Sequence, residues 1–483
     1  MLTMTAGKKS RTCDGLSRRN FLRVGTLGLG GLTLADLLAL DGRAAQRSIL
    51  RDKSVVFLYL AGGPSQLETF DPKPDAPVEI RSMTGEIQTR LPGVLFGGSF
   101  PKLAAMADKL AIVRSFVHGN GNHDGGKKLF GVERSTALSA VYSRMLGATD
   151  AETGMMSTAF LSPQSVGFDN SGIQRQFRFY YTGISPTGPL GSLHAPFHPS
   201  SQDGRSVSRE GLLSDMQLRT PLERLEDRRL LLEELSNLQR NVDHATSAGV
   251  TELRTQAFDV LQRGVREAFD LSREDPRLIN CYDTSSFRTP AGLIRQERNG
   301  KMTAQSQSVL GKQLLLARRL CEAGCRFVTV GMNDWDMHGN YNSYPIPEGM
   351  ALMGGALDKA VSAFLADIEQ RGLSEKILLV MTGEMGRTPR ITNERATQRP
   401  GRYHWARLGS LVLAGGGLTM GQVIGRSDRQ AGTPVTEPVR PENLISTITH
   451  TLFDMGQVRV TRGLPNGLVQ AVSAAPVIRE LMG

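Results

Sequence analysis

The chain has 483 residues, 40% hydrophobic and 22% charged, which suits a globular protein of one large α/β domain or two smaller ones. Its formal charge of +10 fits anionic ligands such as phosphate esters, sulfate esters and acidic glycans, although a solvated basic surface would give the same excess. No zinc finger, helix-turn-helix pattern or basic stripe interleaved with aromatic residues points to nucleic acid.

The first 46 residues are predicted to carry an export signal. The stretch SRRNFLRVGTLGLGGLTLADLLAL, residues 17–40, pairs two arginines with a glycine- and leucine-rich run, as twin-arginine leaders do. We therefore expect the twin-arginine export machinery as a partner and the periplasm or cell envelope as the location. Cleavage near Ala45 and retention as an anchor both stay open, because Arg43 stands where a small residue is preferred. An amphipathic N-terminal helix is the alternative.

After the leader, residues 47–483 are predicted to form one α/β domain. KSVVFLYL and the end of FPKLAAMADKLAIVRSF read as strands, and residues 150–205 read as irregular. Leucines at helical spacing predict a helical insertion over about 207–275, a cap or a partner surface. The later half repeats helix, strand and polar loop through CRFVTV, KILLVMTG and GSLVLAGGG. This alternation predicts a mostly parallel sheet with helices on both faces.

The four cysteines form neither a zinc motif nor a disulfide framework. Cys13 lies in the leader. Cys321 and Cys325 are four residues apart in a predicted helix and are expected on one face of it. We predict buried thiols for these two and for Cys281, with a disulfide of Cys281 as the alternative.

Four polar loops follow predicted strands, where ligands bind in open α/β sheets. The first, GGPSQ, offers the hydroxyl of Ser65 beside two glycines that allow a backbone to approach a ligand. The second, HGNGNHDGG, brings His123 and Asp124 in a glycine-rich loop suited to a metal or an anion. The structural alternative for the first loop is a tight turn, and for the second loop it is a solvent-exposed turn.

The third loop, GMNDWDMHGNYN, follows the predicted strand CRFVTV. Asp334 and Asp336 precede His338 by four and two residues, so either pair can offer a carboxylate oxygen and an imidazole nitrogen to one metal ion. The alternative is a network of Asx turns in which these side chains bind backbone groups.

The fourth loop joins TGEMGRTPR to GRYHW. Glu384 lies at a strand end, Arg387 is placed to bind an anionic oxygen in fork geometry, and His404 follows after a loop. A local ion pair between Glu384 and Arg387, and packing of His404 against Trp405, would explain the same residues structurally.

The order of these groups resembles that of the alkaline phosphatase and sulfatase superfamily. More closely, SRRNFLR, LAGGPSQLETFDPKPDAP, RSFVHGNGNHDGG, NDWDMHGNYN, TGEMGRTPR and GRYHW resemble the bacterial domain-of-unknown-function family 1501, over nearly the whole chain. The resemblance implies an exported, sulfatase-like protein with a three-layer α/β/α sandwich whose strand ends carry divalent metal, usually zinc, manganese or calcium. By position, Asp334 or Asp336 with His338 would match the superfamily's Asp/His pair. Glu384 would replace a metal-binding aspartate, and His404 would match the late histidine.

The chain also departs from the superfamily pattern. The first strand ends in Gly62-Gly63-Pro64-Ser65, with no carboxylate until Glu68, and Met385 stands where a histidine is usual. No C-x-P-S-R motif supplies the formylglycine nucleophile of sulfatases. These differences put one of the usual two metal sites in question.

We therefore expect a metal-dependent hydrolase of phosphate or sulfate esters, acting on a small molecule or a glycan. The divalent metal would be held by Asp336, His338, Glu384 and His404, with His123 or Asp334 as a further ligand. It would polarise the ester and activate water or Ser65, while Arg387 neutralises the anion. The alternative is a non-catalytic envelope protein on the same fold, with 207–275 as its partner surface. A phosphomutase-like transferase is a weaker third hypothesis.

Overall fold

The computed structural model describes residues 49–125, 129–133, 136–150, 152–167, 184–199, 224, 265–290, 293, 305–461, 464 and 466–483. The predicted leader (1–46), Cys13 and most of the predicted helical insertion lie outside these residues. The export signal and the boundaries of the insertion therefore stay predictions.

Seven strands build the central sheet: β1 (Ser54–Leu60), β2 (Ala111–Phe116), β3 (Thr158–Leu161), β4 (Phe327–Met332), β5 (Ile377–Thr382), β6 (Gly409–Gly415) and β7 (Gln422–Ile424). Their order is β7-β2-β6-β5-β1-β4-β3. All neighbouring pairs are parallel except those of β6, which runs antiparallel to β2 and β5. The prediction of a mostly parallel sheet is confirmed.

Nine helices accompany the sheet in the described part of the chain. They are α1 (Pro101–Ala105), α2 (Leu138–Leu146), α3 (Val265–Phe269), α4 (Pro276–Tyr282), α5 (Leu310–Glu322), α6 (Ile346–Gln370, with a π-helical turn at Met350–Gly354), α7 (Pro441–Leu452), α8 (Met455–Val460) and α9 (Asn466–Ser473). Four short antiparallel pairs complete it: Glu86–Gln88 with Leu95–Gly97, Gly131–Glu133 with Thr136–Ala137, Gly386–Arg387 with His404–Trp405, and Thr392–Asn393 with Pro400–Gly401.

The two faces of β1 belong to two different hydrophobic cores. Val56 and Leu58 face the cluster that includes apolar residues of α5 and α6. Val55 and Phe57 face the cluster that includes residues of α2 and α7. Because successive side chains of a strand point to opposite faces, a strand covered on both sides reads as the unbroken apolar run SVVFLYL. The protein is thus the three-layer α/β/α sandwich that the resemblance implied.

Helix α6 is the one described helix long and apolar enough to cross a membrane by length and composition. In this structure 67% of its most apolar stretch is buried inside the protein. Met350 and Phe364 are fully buried in the core beside α5, so the apolar residues of α6 pack the sheet.

The structure differs from the predictions in three places. Residues 158–161 were expected to be irregular, yet they form the edge strand β3, which pairs with β4. Only four residues long and flanked by polar residues, β3 offers no periodicity to detect. Cys281 is exposed rather than buried, and Cys325 lies beyond the end of α5, so it does not share a helix face with Cys321, although both are buried.

Candidate metal centre

The polar loops meet at one edge of the sheet. The loops after β1, β2, β4 and β5 leave its carboxyl edge. Because β6 is antiparallel, the segment before it reaches the same edge. That segment pairs with the loop after β5, so that His404 lies opposite Arg387. The edge therefore collects side chains that are far apart in sequence.

Asp336 lies at the centre of the cluster. Its Oδ1 is 2.8 Å from Nε2 of His338 and 3.3 Å from Nε2 of His404. Its Oδ2 is 3.4 Å from Nε2 of His123. The two Nε2 atoms of His338 and His404 are 3.1 Å apart. Three imidazoles thus converge on one carboxylate, and the predicted meeting of Asp336, His338 and His404 occurs.

Three of these side chains could hold a metal ion together. His123, Asp336 and His404 each offer one ligand atom, and these atoms lie within 4.8 Å of one another. Two imidazole nitrogens and one carboxylate oxygen suit zinc and other first-row divalent metals. All three side chains are partly buried, and His404, at 28% exposure, is the most open to solvent. The donor set therefore fits a divalent metal with a position left for a ligand.

Glu384 lies behind His123. Its carboxylate accepts the Gly62 N–H at 3.0 and 3.1 Å and the Nδ1–H of His123 at 2.8 Å, and it is fully buried. A carboxylate bonded to one ring nitrogen orients a histidine so that the other nitrogen faces a metal. The contacts thus give Glu384 the position of a residue that orients a ligand, whereas the sequence placed it among the ligands.

The pKa of His123 reflects these contacts. Burial acts to lower it, but the hydrogen bonds to Asp336 and Glu384 outweigh burial and raise the pKa to about 9. Burial acts to raise the pKa of Asp336. The charge of Arg387 and the hydrogen bonds from the histidines outweigh this and hold it well below its usual value. Burial lowers the pKa of His338, although Asp336 opposes the shift.

Arg387 is a buried cation that bonds to protein acceptors through all three of its nitrogens. Its Nε–H donates to Gly63 O at 2.9 Å, and Nη1 contacts Arg402 O at 3.1 Å and His338 Nε2 at 3.4 Å. Its Nη2 donates to Gly62 O and to Asp336 Oδ1. Four of these contacts are hydrogen bonds to oxygen acceptors, they involve all three nitrogens of the guanidinium, and the side chain is 1% exposed. Arg387 thus places a fixed charge beside Asp336, and the pairing with Glu384 considered as an alternative is not formed.

Three other predicted residues lie around the cluster. Ser65 stands in the turn after β1, where its hydroxyl accepts the Glu68 N–H at 3.4 Å. Within the described part of the chain, this hydroxyl makes no hydrogen bond to the cluster. Asp334 has a positive φ of 73°. The pKa of Tyr344 is raised mainly by the burial of its hydroxyl and also by the nearby charge of Asp334. Asp124 accepts a hydrogen bond from Asn120 within its own exposed loop.

A buried ion pair that the sequence did not reveal lies beneath the site. Arg402 donates to Glu68 Oε1 through Nη2 at 2.8 Å and through Nε at 3.0 Å, with both side chains essentially inaccessible. The pair ties the loop after β1 to the segment that carries His404. Because the partners are 334 residues apart, no spacing in the sequence could reveal it.

Gly62 is a second missed residue, although the Gly-Gly-Pro turn signalled a special backbone. Its φ is +112°, and a Cβ there would lie 2.5 Å from the backbone nitrogen of Asp336. Glycine is required because the turn after β1 packs directly against the loop after β4 while its N–H binds Glu384.

The family model described as "Protein of unknown function (DUF1501)" matches residues 52–482. The chain belongs to the DUF1501 family. The match starts after the predicted leader and includes every residue of the metal centre. No curated protein matched the sequence.

Solved structures of a phosphonate monoester hydrolase, a sulfatase and an alkaline phosphatase variant resemble this DUF1501 protein. The phosphonate monoester hydrolase SpPMH of Silicibacter pomeroyi is 9% identical with a TM-score of 0.33, covering 88% of this chain and 76% of its own. The PsFucS1 sulfatase of Pseudoalteromonas sp. is 13% identical with a TM-score of 0.31, covering 82% and 68%. A TAB5 alkaline phosphatase variant with bound magnesium is 10% identical with a TM-score of 0.33, covering 86% and 99%.

Proposed function

We propose that this protein is an exported, metal-dependent hydrolase of phosphate or sulfate esters. The observation that carries the proposal is the cluster of His123, Asp336 and His404 at the strand ends, with ligand atoms within 4.8 Å of one another. A zinc, manganese or calcium ion held there would polarise the ester oxygen and lower the pKa of a bound water.

The chain's own residues prepare this site in three ways. Asp336 stays ionised, because Arg387 and the imidazoles hold its pKa low. Glu384 fixes the ring of His123, so that Nε2 faces Asp336. Arg387 adds a permanent positive charge beside the position of an anionic substrate, although its N–H groups are given to protein acceptors. We therefore assign Arg387 an electrostatic role instead of the direct clamp expected from the sequence.

The test begins with elemental analysis of the purified protein, followed by chelation and return of zinc, manganese or calcium. We expect bound metal, a rise in thermal stability on reloading, and turnover of aryl phosphate, phosphonate or sulfate esters by the loaded form. Asp336→Asn and His404→Gln should lose both metal and turnover, whereas Asp75→Asn, at an exposed carboxylate outside the cluster, should lose neither. A protein without metal, indifferent to added metal, would refute the proposal.

The nucleophile is tested separately. Ser65→Ala retains turnover if water attacks the ester and abolishes it if Ser65 does, and mass spectrometry would then detect an esterified Ser65 in the wild-type protein. Bound metal with no turnover of any ester would instead support the non-catalytic envelope protein. The family match begins at Asp52, after the leader, so the proposal of export is supported by the leader itself, with its arginine pair and the apolar run that follows. Replacing Arg18 and Arg19 by lysine should leave the precursor in the cytoplasm, as shown by cell fractionation.

A further inference from the structure

Two exposed tyrosines stand beside the metal centre. Tyr403 is 41% exposed and Tyr341 is 43% exposed, and they lie in the two loops that carry His404 and His338. The remaining tyrosines that the structure describes are buried: Tyr59, Tyr142, Tyr282 and Tyr344. Among the described tyrosines, the exposed ones are thus the two that lie in the loops carrying His338 and His404.

Both rings are held in place through their hydroxyl groups by one turn. Tyr403 donates to Glu394 Oε2 at 2.8 Å, and Tyr341 donates to the carbonyl of Ala396 at 3.0 Å. The same turn binds the loop after β4, because Thr397 Oγ1 donates to the carbonyl of Gly339 at 2.6 Å. Each ring is therefore oriented before a ligand arrives, which reduces the entropy lost on binding.

Tyr403, which this turn holds in place, lies close to the residues of the metal cluster. The ring of Tyr403 lies 5.1 Å from the ring of His338, measured between centroids, and His338 Nε2 is 2.8 Å from Asp336. Tyr403 also directly precedes His404, the most exposed member of the metal cluster. An ester whose anionic group reaches the cluster would thus extend its alcohol portion along these tyrosines.

We propose that Tyr403 and Tyr341 form a binding subsite for a sugar ring, so that the substrate is a phosphate or sulfate ester of a carbohydrate. This inference rests on the function proposed above and narrows its substrate class. Tyrosine rings offer an apolar face to the C–H groups of a sugar. Two exposed side chains add hydrogen-bond donors for its hydroxyls: Asn342, which follows Tyr341 in the chain, and Arg395, which follows the Glu394 that binds the Tyr403 hydroxyl. A lipid alcohol would call for a continuous apolar wall, which these polar neighbours interrupt.

A purely structural role makes a different prediction. If the tyrosines only fasten the turn, their hydroxyl groups matter and their rings do not. Tyr403→Phe then weakens the site as much as Tyr403→Ala does. If the ring binds the sugar, Tyr403→Phe keeps the contact and Tyr403→Ala removes it.

The experiment measures binding to the metal-loaded, full-length protein by isothermal titration calorimetry. The probes are glucose 6-phosphate against methyl phosphate, and glucose 6-sulfate against methyl sulfate. We expect at least one sugar ester to bind about tenfold more tightly than its methyl counterpart, the size of an aromatic contact. Tyr403→Ala and Tyr341→Ala should remove this preference without changing the affinity for the methyl ester. Tyr403→Phe should keep it, as should Val460→Ala, a control at an exposed apolar residue on α8.

The outcomes separate this inference from the function on which it rests. Equal binding of sugar and methyl esters by the wild-type protein, or equal losses in Tyr403→Phe and Tyr403→Ala, would overturn the sugar subsite and leave the ester hydrolase standing. If no ester binds at all, the proposed function fails and the subsite fails with it.

Discussion

At the scale of single residues, the site depends on carboxylates that are each held by several partners. Asp336 is shared by three imidazoles and a guanidinium, and Glu384 joins a backbone N–H to His123. Such groups remain ionised when buried only because opposite charges and hydrogen bonds replace the lost water. Removing one partner should therefore have effects well beyond the loss of a single contact.

Glu384→Gln tests the orienting role of this carboxylate. The amide removes the charge that faces His123 and brings an N–H group close to the Gly62 N–H, so His123 loses its fixed orientation. We expect metal affinity to fall about 10- to 100-fold. Titration with zinc in a competing chelator measures this change. Glu375→Gln, at an exposed glutamate, is the control. An unchanged affinity would mean that Glu384 does not orient a ligand.

Arg402→Met tests the buried ion pair. The variant leaves the carboxylate of Glu68 buried beside an apolar side chain, and we expect the free energy of unfolding to fall by about 3–5 kcal/mol. Denaturant titration measures the loss. The double variant Glu68→Gln/Arg402→Met removes both charges and should recover part of it. If the double variant were less stable than Arg402→Met alone, the stability lost in Arg402→Met would not come from the unpaired charge of Glu68.

At the scale of elements, the site is a meeting of turns at one edge of a rigid sheet. β1, β4 and β5 are central, parallel and fully buried, so their ends are fixed relative to one another. The antiparallel β6 brings His404 to the same edge through its N-terminal end. The close packing of the turn after β1 against the loop after β4 then sets the distance between Glu384 and Asp336.

Gly62→Ala tests this close packing. The new Cβ would lie 2.5 Å from the backbone nitrogen of Asp336, so the loop after β4 must shift. Gly93→Ala is a matched control, because Gly93 also has positive φ (+75°) but no atom lies within 4 Å of the added Cβ. We expect about 1 kcal/mol of backbone strain in the control, and in Gly62→Ala a larger loss of stability together with lost metal binding. Thermal unfolding and metal titration provide the two measurements. Equal effects in the two variants would show that backbone strain alone matters.

At the scale of the whole molecule, two histidines outside the cluster link stability to pH. Burial lowers the pKa of His118 to about 4, although its hydrogen bond to Gly383 O opposes the shift, and burial lowers that of His198 to about 4 as well. Both pKa values are below the unfolded value near 6.5, so the unfolded chain binds protons first as the pH falls. Their stabilising contribution is complete above pH 6.5 and is lost between pH 6.5 and 4.

We therefore expect each histidine to lower the free energy of unfolding by about 2 kcal/mol when the pH falls from 7 to 5. The double variant His118→Gln/His198→Gln should show a smaller loss over this range than the wild-type protein, measured by urea unfolding at both pH values. His450→Gln, at a less buried histidine, should change the pH dependence less. Parallel pH profiles in the wild-type protein and the double variant would contradict the assignment.

Much of the fold was predictable because its signals are local. The runs SVVFLYL and ILLVMT are apolar without interruption, which is typical of strands buried on both faces, and they became β1 and β5. The later half was predicted to alternate helix, strand and polar loop, and α5 and α6 are helices of that alternation that pack on the sheet. The strand β3 escaped detection because four residues at a sheet edge carry too little pattern.

The sequence singled out residues that lie together at the candidate site, along with others, such as Ser65, that do not bond to the cluster, and it did not give their roles. Polar residues after buried strands singled out His123, Asp336, His338, Glu384 and His404. Residue type alone could not show that the carboxylate of Asp336 faces the imidazoles, whereas that of Glu384 lies behind His123. The donors of Arg387 looked available in the sequence, yet neighbouring carbonyls accept most of them.

The sequence by itself determined the family, the layered α/β architecture and the strand ends at which polar residues gather, because hydrophobic periodicity and local motifs depend on neighbouring residues. Only the tertiary structure decided that Glu384 orients His123 across 261 positions, that β6 runs antiparallel, and that two tyrosines flank the centre. Contacts of this kind depend on which strands lie side by side and how their loops pack, and the spacing of residues along the chain carries no record of either.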